Sequence, residues 1–291
     1  MAPVEEFEVE QLSPVFAARI KGIDWTKPVK KETLSKIHSA FAKYSVLCFP
    51  NQILEAKHQE NFAAQFGRAD SAHRNPTRGN VKQGKKRGVM YVTNIRKDGK
   101  PIGSLPDGEM YFHSDGSHRA NPYRATTLYG IDIPSRGGET LFADLRAAYD
   151  ALSDEIKIKI DDMTACHIYD YGSTIRDQNK EIETNEEYPS ALHQLVKTHP
   201  VSGRKALYLS RLMTRYIEGI DRAESDQLLN YLFDHAEKPE FIYSHKWTPD
   251  DLLIWDNRCV NHARNDFPKT ERRLLRRYTV SEPDDNDMVD Y

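Results

Sequence analysis

Asp115 and His262 are 147 residues apart, yet each sits beside a short apolar segment of strand-like composition. Tyr111-Phe112 run into His113-Ser114-Asp115, and Gly116-Ser117 follow, so the first pair lies at a strand–loop junction. His262 falls in Trp255-Asp256-Asn257-Arg258-Cys259-Val260-Asn261-His262, just beyond the apolar run Leu252–Trp255. Two imidazoles and a carboxylate can occupy one face of a divalent metal and leave the other open. If they do so here, two strand ends distant in sequence must meet across a folded sheet. A jelly roll does this, holding the metal between its sheets.

The remaining pattern agrees. Strands are expected over Val89–Asn94, Thr126–Ile131, Ala206–Ser210, Phe241–Ser244, Leu252–Trp255 and Leu274–Val280. Leu34, Ile37, Phe41 and Tyr44 share a helical face over 31–45, followed by a short strand, Val46 to Phe49. A second helix carries His58, Phe62 and Phe66 and stops at Gly67. Further helices are expected at about 144–152, with Asp144 as N-cap, and at about 222–236, capped by Asp221. No repeat or Gly/Ser-rich linker divides the chain. The expectation is one domain over 1–291, mainly β with flanking helices around a double-stranded β-helix (jelly-roll) core.

Composition narrows the partners. Apolar residues at 38% and charged residues at 29% fit a globular chain with a sizeable core. A net charge of −3 and no long basic run disfavour nucleic acid. The acidic start, Met1-Ala2-Pro3-Val4-Glu5-Glu6, lacks the apolar core of a signal peptide, and no stretch is long enough to span a bilayer. Cys48, Cys166 and Cys259 show no Cys-x-x-Cys spacing, as expected of a reduced, cytoplasmic protein.

Two polar excursions are open to two readings each. Residues 74–88 carry Arg74, Arg78, Lys82, Lys85, Lys86 and Arg87: a solvated loop, or a lid that attracts an anionic substrate. Residues 173–190 read equally as a loop over a pocket or as a surface insertion.

A single His-x-Asp is expected about once by chance in a chain like this. Two arginines give the pattern its weight. In the strand over about 272–280, period-2 alternation puts Arg273, Leu275, Arg277 and Thr279 on one face, and Leu274, Arg276 and Tyr278 on the other. Arginines on a core-facing side are costly unless an anion meets them. Spacing alone leaves open a solvated edge strand or internal ion pairs.

With His113-Ser114-Asp115, Gly137-Gly138-Glu139-Thr140, Trp255-Asp256-Asn257-Arg258…His262, Arg273 and Arg277 in that order, the chain resembles the taurine dioxygenase / phenoxyacetate-herbicide dioxygenase family of Fe(II)- and 2-oxoglutarate-dependent oxygenases. The likeness runs from roughly residue 12 to residue 280. The segments Thr140–Leu152 and Trp255–Cys259 are most similar to the herbicide-degrading branch. The resemblance implies that His113, Asp115 and His262 bind Fe(II). It implies that Thr140 and Arg273 hold the distal carboxylate of 2-oxoglutarate. Arg277 would sit nearer the iron, on the other carboxylate or on the anionic head of the substrate. His73 matches a substrate-binding histidine, and Asn94 is a candidate lining residue.

The implied reaction uses O2 to hydroxylate a C–H bond of a small anionic substrate, an aryloxyalkanoate or a related carboxylate or sulfonate, releasing succinate and CO2. Homo-oligomers are common in the family. The family commonly has Trp where this chain has Phe112, which changes the expected wall beside the iron. His118 reads as a loop residue, His167 as a strand residue, His199 as part of a turn and Cys259 as a packed thiol. Two other readings of the His2Asp set are a zinc hydrolase and a non-catalytic jelly-roll binding protein; neither has a use for Thr140 or the paired arginines.

Overall fold

The computed structural model describes residues 7–70, 90–104, 108–170, 174–175 and 188–282. The lid candidates fall almost entirely outside these residues: all of 74–88, and most of 173–190.

Alternation along the strands builds two facing sheets. The larger has eight strands: β1 (Glu8–Gln11), β2 (Ala18–Lys21), β3 (Val46–Phe49), β17 (Leu252–Asp256), β9 (Ala125–Asp132), β19 (Leu274–Ser281) and β4 (Arg68–Asp70) in that order, with β5 (Met90–Thr93) also paired to β19. The smaller has four, ordered β16 (Ile242–His245), β10 (Thr140–Asp144), β18 (Val260–Arg264) and β8 (Met110–His113). All pairings are antiparallel except β2 with β3. Leu128, Leu253, Trp255 and Leu275 of the large sheet share one buried cluster with Phe142 and Val260 of the small one, so the core lies between the sheets. This is a jelly roll, as the sequence indicates.

The outer face of the large sheet is apolar too, because helices cover it. On β17, Leu252 and Ile254 point away from the small sheet and pack with Ile37 and Phe41 of α1 (Lys31–Tyr44) and Phe62 of α2 (Ala56–Ala64). Helix α2 ends three residues before the expected stop, and Gly67 instead serves a close approach. Its φ is 140°, and a Cβ there would lie 2.5 Å from the Ser281 carbonyl oxygen.

Small strands occupy the long excursion between α3 (Leu145–Asp150) and β16. They are β11 (Thr164–Ile168), β12 (Ser190–Gln194) and β15 (Thr214–Ile217) in one sheet, and the ribbon β13 (Val196–Thr198) with β14 (Lys205–Leu207). Of these only β14 matches an expected strand. Helix α4 (Asp154–Ile160) was not expected, and α5 (Arg222–Ala236) has the expected bounds and the Asp221 cap. A further ribbon, β6 (Arg96–Lys97) with β7 (Lys100–Pro101), follows β5.

Asp144 caps α3 as expected, accepting from the backbone N–H of Arg146 and Ala147. It also holds the Arg146 guanidinium at 3.0 Å with both side chains 1% exposed. Asp144→Ala strands that cation in the core and should cost about 3–5 kcal/mol. Urea unfolding checks this; an unchanged midpoint would contradict it.

Candidate active site

His262 is the middle residue of β18. Its Cα partner on β8 is His113, and the two rings lie 4.0 Å apart between centroids. Asp115 follows β8 by two residues and turns back toward both: Oδ1 is 3.8 Å from His113 Nε2, and Oδ2 is 3.8 Å from His262 Nε2. The three donor atoms fall within 4.8 Å of one another.

The protonation states suit a metal. His113 Nδ1 is 3.0 Å from the Tyr111 carbonyl. A carbonyl only accepts, so Nδ1 carries the hydrogen and Nε2 presents a lone pair to the cluster. Burial, reinforced by His113, pushes His262 well below the ordinary histidine range, against the opposing pull of Asp115. Burial alone would raise the Asp115 carboxyl. The Arg277 guanidinium, then His262, His113 and the Thr126 hydroxyl outweigh it and hold the group well below the usual carboxylate range. His262 held neutral, His113 with Nδ1 committed to a carbonyl and Nε2 facing the cluster, and one ionised carboxylate are a donor set suited to a divalent transition metal.

Among the described residues two other trios bring donors as close, Cys48-His245-Asp251 and His199-Asp256-Cys259. Both are already satisfied internally: His245 Nε2 lies 3.2 Å from Asp251 and His199 Nε2 lies 3.0 Å from Asp256. Burial pushes the Cys48 thiol far up and the Cys259 thiol up to about 12, so neither offers a thiolate.

The arginines line the same cavity, about 460 Å³ of space bounded by His113, Asp115, His262, Thr140, Arg264, Arg273 and Arg277 among polar residues. Ladder register explains the arrangement. His262 pairs with Phe142 on β10, and two residues on, Arg264 pairs with Thr140. Thr140 therefore sits one same-face step, roughly 7 Å, from the row of His113 and His262. From the opposite sheet come Arg277, partnered by Leu128, and Arg273 just before β19.

Arg273 is 2% exposed. Its Nη2 donates to the Gly138 carbonyl at 3.2 Å, and no carboxylate among the described residues comes within ion-pair distance. Burial, with Arg264 nearby, pulls its pKa down to about 9 against the weaker influence of Glu139. The site therefore favours an incoming anion. Gly138 is in the left-handed region at φ 71°, and a Cβ there would press on Arg273 Nε at 3.1 Å, which accounts for a glycine before Thr140. Arg277 behaves differently, placing Nη2 2.7 Å from Asp115 Oδ1. Thr140 Oγ1 accepts from the Trp247 indole at 2.9 Å, which leaves its own hydrogen to donate.

Two of the expected residues lie away from the cavity lining. Asn94 does not line the cavity. Its amide donates to the Glu271 carbonyl at 2.8 Å and accepts from Arg273 N at 2.9 Å, clamping the entry to β19. Phe112 does not form the wall beside the metal: next to His113 on an extended strand it faces the other way, onto Ala143 and Ala263. His73 lies outside the described residues. His118 stacks on Tyr169 at 4.9 Å, His167 is buried in β11, and Cys259 is packed against Ser45. Trp247, Arg264 and Thr126 were not singled out from sequence. Period-2 alternation from His262 does reach Arg264; no sequence signal marks the other two.

A jelly roll that seats an open-faced His-Asp-His trio against a buried, anion-seeking arginine fits a metal-dependent oxygenase with an anionic co-substrate. The chain belongs to the taurine catabolism dioxygenase TauD, TfdA family, whose model matches residues 8–279. It is 31% identical over 284 residues to the (S)-phenoxypropionate/alpha-ketoglutarate-dioxygenase of Sphingobium herbicidovorans, covering 92% of this chain and 93% of the relative. It is 32% identical over 283 residues to the alpha-ketoglutarate-dependent 2,4-dichlorophenoxyacetate dioxygenase of Cupriavidus pinatubonensis, covering 92% and 96%. A solved structure of AAD-2 in complex with Mn(II) and N-oxalylglycine superposes with a TM-score of 0.80 at 35% identity, covering 96% of this chain and 98% of that one. The protein is a 2-oxoglutarate-dependent dioxygenase. The zinc-hydrolase and non-catalytic alternatives find no support in these similarities.

Proposed function

We propose that the chain binds Fe(II) through His113, Asp115 and His262, and 2-oxoglutarate through Arg273 and Thr140, to hydroxylate a C–H bond of a small aryloxyalkanoate or related anion. The observation that carries this reading is Arg273, a buried cation with no carboxylate partner among the described residues, opening into the same cavity as the donor trio. When bound, iron couples O2 activation to the oxidative decarboxylation of 2-oxoglutarate, so that one oxygen atom enters the C–H bond and the other leaves in succinate, with CO2 released.

The protein's part is binding and exclusion. Arg273 and the Thr140 hydroxyl orient the distal carboxylate by a charge-assisted pair and a hydrogen bond. Val92, Met110, Leu128 and Trp255 give the cavity an apolar wall suited to an aryl or alkyl body. Arg277 is our candidate for an anionic group near the metal, and His73 for a substrate contact. No side chain is required as a general base. We place the enzyme in the cytoplasm as one catalytic domain. All three cysteines are free and buried, and among the described residues no helix is long and apolar enough to cross a membrane.

Succinate release with Fe(II), 2-oxoglutarate and a panel of aryloxyalkanoates tests the substrate class. Turnover of the acids supports it; faster turnover of their neutral amides would overturn it. Thr140 orientation is testable separately. Trp247→Phe keeps the ring and removes the indole donor, so the 2-oxoglutarate KM should rise by about 5- to 10-fold, one lost hydrogen bond of roughly 1 kcal/mol, with kcat little changed. An unmoved KM would show that Trp247 has no such role.

A further inference from the structure

In the Trp-Asp-Asn-Arg stretch, the polar atoms of Trp255 and Asn257 have no part in the iron and co-substrate contacts proposed above. Both are 1% exposed, and both join a hydrogen-bond chain that ends on Asp115. The Trp255 indole donates to Asn257 Oδ1 at 3.0 Å, and the Asp115 backbone N–H points to the same oxygen at 3.4 Å. Both donors carry fixed hydrogens, so this atom of the amide must be the oxygen. The other end of the amide is then the NH2 group, which donates to Thr126 Oγ1 at 3.0 Å. Thr126 has one hydrogen, and its remaining close partner is Asp115 Oδ2 at 2.7 Å. An amide nitrogen only donates and an ionised carboxylate only accepts, so the hydrogens run from the Asn257 NH2 through the Thr126 hydroxyl to Asp115 Oδ2.

Register places these groups without side-chain adjustment. Thr126 on β9 is the Cα partner of Trp255 on β17, and Asn257 follows two residues later. The Ser114 hydroxyl donates to the Asn257 carbonyl at 2.7 Å, tying the loop that carries Asp115 to the same turn. Thr126 and Asn257 are themselves buried, at 0% and 1%. A hydroxyl in the water-poor space between sheets would be costly without partners for both its hydrogen and its oxygen, and this chain supplies both.

We infer that Trp255, Asn257 and Thr126 are positioning residues that fix the rotamer of the Asp115 carboxylate by committing one lone pair of Oδ2 to the Thr126 hydroxyl. The carboxylate is thereby presented with limited freedom to take a metal through both oxygens. The inference rests on the reading of Asp115 as a metal ligand. Outer partners that orient a ligating carboxylate typically account for 10- to 100-fold in metal affinity.

The test is the Kd of the full chain for Mn(II), read by calorimetry, for Thr126→Val, Thr126→Ser and Asn257→Asp, with Asp115→Ala as reference. Thr126→Val keeps the shape and removes the hydroxyl; Thr126→Ser restores it. Asn257→Asp puts an acceptor where the amide donated and draws the Thr126 hydrogen away from Asp115. We expect Mn(II) affinity to fall by about 10- to 100-fold in Thr126→Val and Asn257→Asp and to recover in Thr126→Ser, with native circular dichroism throughout. A merely structural role would lower thermal stability without this serine-specific rescue of Mn(II) binding. Folded Thr126→Val with wild-type Mn(II) affinity overturns the inference, provided Asp115→Ala has lost the metal. Should Asp115→Ala bind Mn(II) as tightly as wild type, the metal-centre reading itself fails. If Thr126→Val does not fold, Thr126→Ala and Asn257→Asp decide on the same criterion.

Discussion

His262→Ala should abolish succinate formation and release the metal. In the proposed site the imidazole would supply one of three donors, and its cross-strand partner His113 and Asp115 cannot close the gap from a rigid ladder. Losing a donor should weaken metal binding by more than the roughly 10- to 100-fold that losing an outer partner costs. The fold should survive: the His262 side chain is 13% exposed, and its main neighbours, the rings of Trp255 and His113, pack within the same sheets. Metal content after dialysis, with far-UV circular dichroism as control, checks both halves. A folded variant that keeps stoichiometric metal and turnover would contradict the assignment.

Arg273→Leu should raise the 2-oxoglutarate requirement by roughly 30- to 5000-fold, the 2–5 kcal/mol typical of truncating one side of a buried charge pair. Its effect on stability should run the other way. Arg273 is buried with no carboxylate partner among the described residues, so removing it relieves a desolvation cost rather than breaking an ion pair. Leucine also suits the apolar lining of Val92 and Leu128. We therefore expect an unfolding midpoint equal to or above wild type in the absence of co-substrate, together with severe loss of 2-oxoglutarate binding. Thermal melts and co-substrate titration read the two effects independently. An unchanged 2-oxoglutarate requirement would remove Arg273 from the site; a large drop in stability would mean that the guanidinium holds the fold together.

Much of this site was readable because β19 obeys strict alternation. Leu275 is 0% exposed between Arg273 and Arg277, and Tyr278 faces the helices, as period 2 requires. The same rule, applied to β8, would have turned Phe112 away from His113. The position of His262 within a strand was hidden by a tight reversal. The turn after Asp256 is held by Asp256 accepting from the Arg258 backbone and side chain, and β18 starts four residues after β17 ends.

The excursion between α3 and β16 was the least legible. Ile156, Ile158 and Ile160 alternate like a strand, yet the segment is helix α4, started by the Ser153 hydroxyl and leaving Ile158 81% exposed. Strand β12 alternates only between exposed and half-buried, so its polar sequence carries no core-facing stripe. The roles of Trp247, Asn257 and Thr126 depend on which strands pair and in what register, and a linear pattern of residue types does not encode that.

The most direct test of the account is an anaerobic titration of the purified protein with Fe(II) and 2-oxoglutarate, followed by visible absorption. The account predicts a weak charge-transfer band that needs both components, is lost in His113→Ala and demands far more 2-oxoglutarate in Arg273→Leu. Metal binding with no response to 2-oxoglutarate would contradict it.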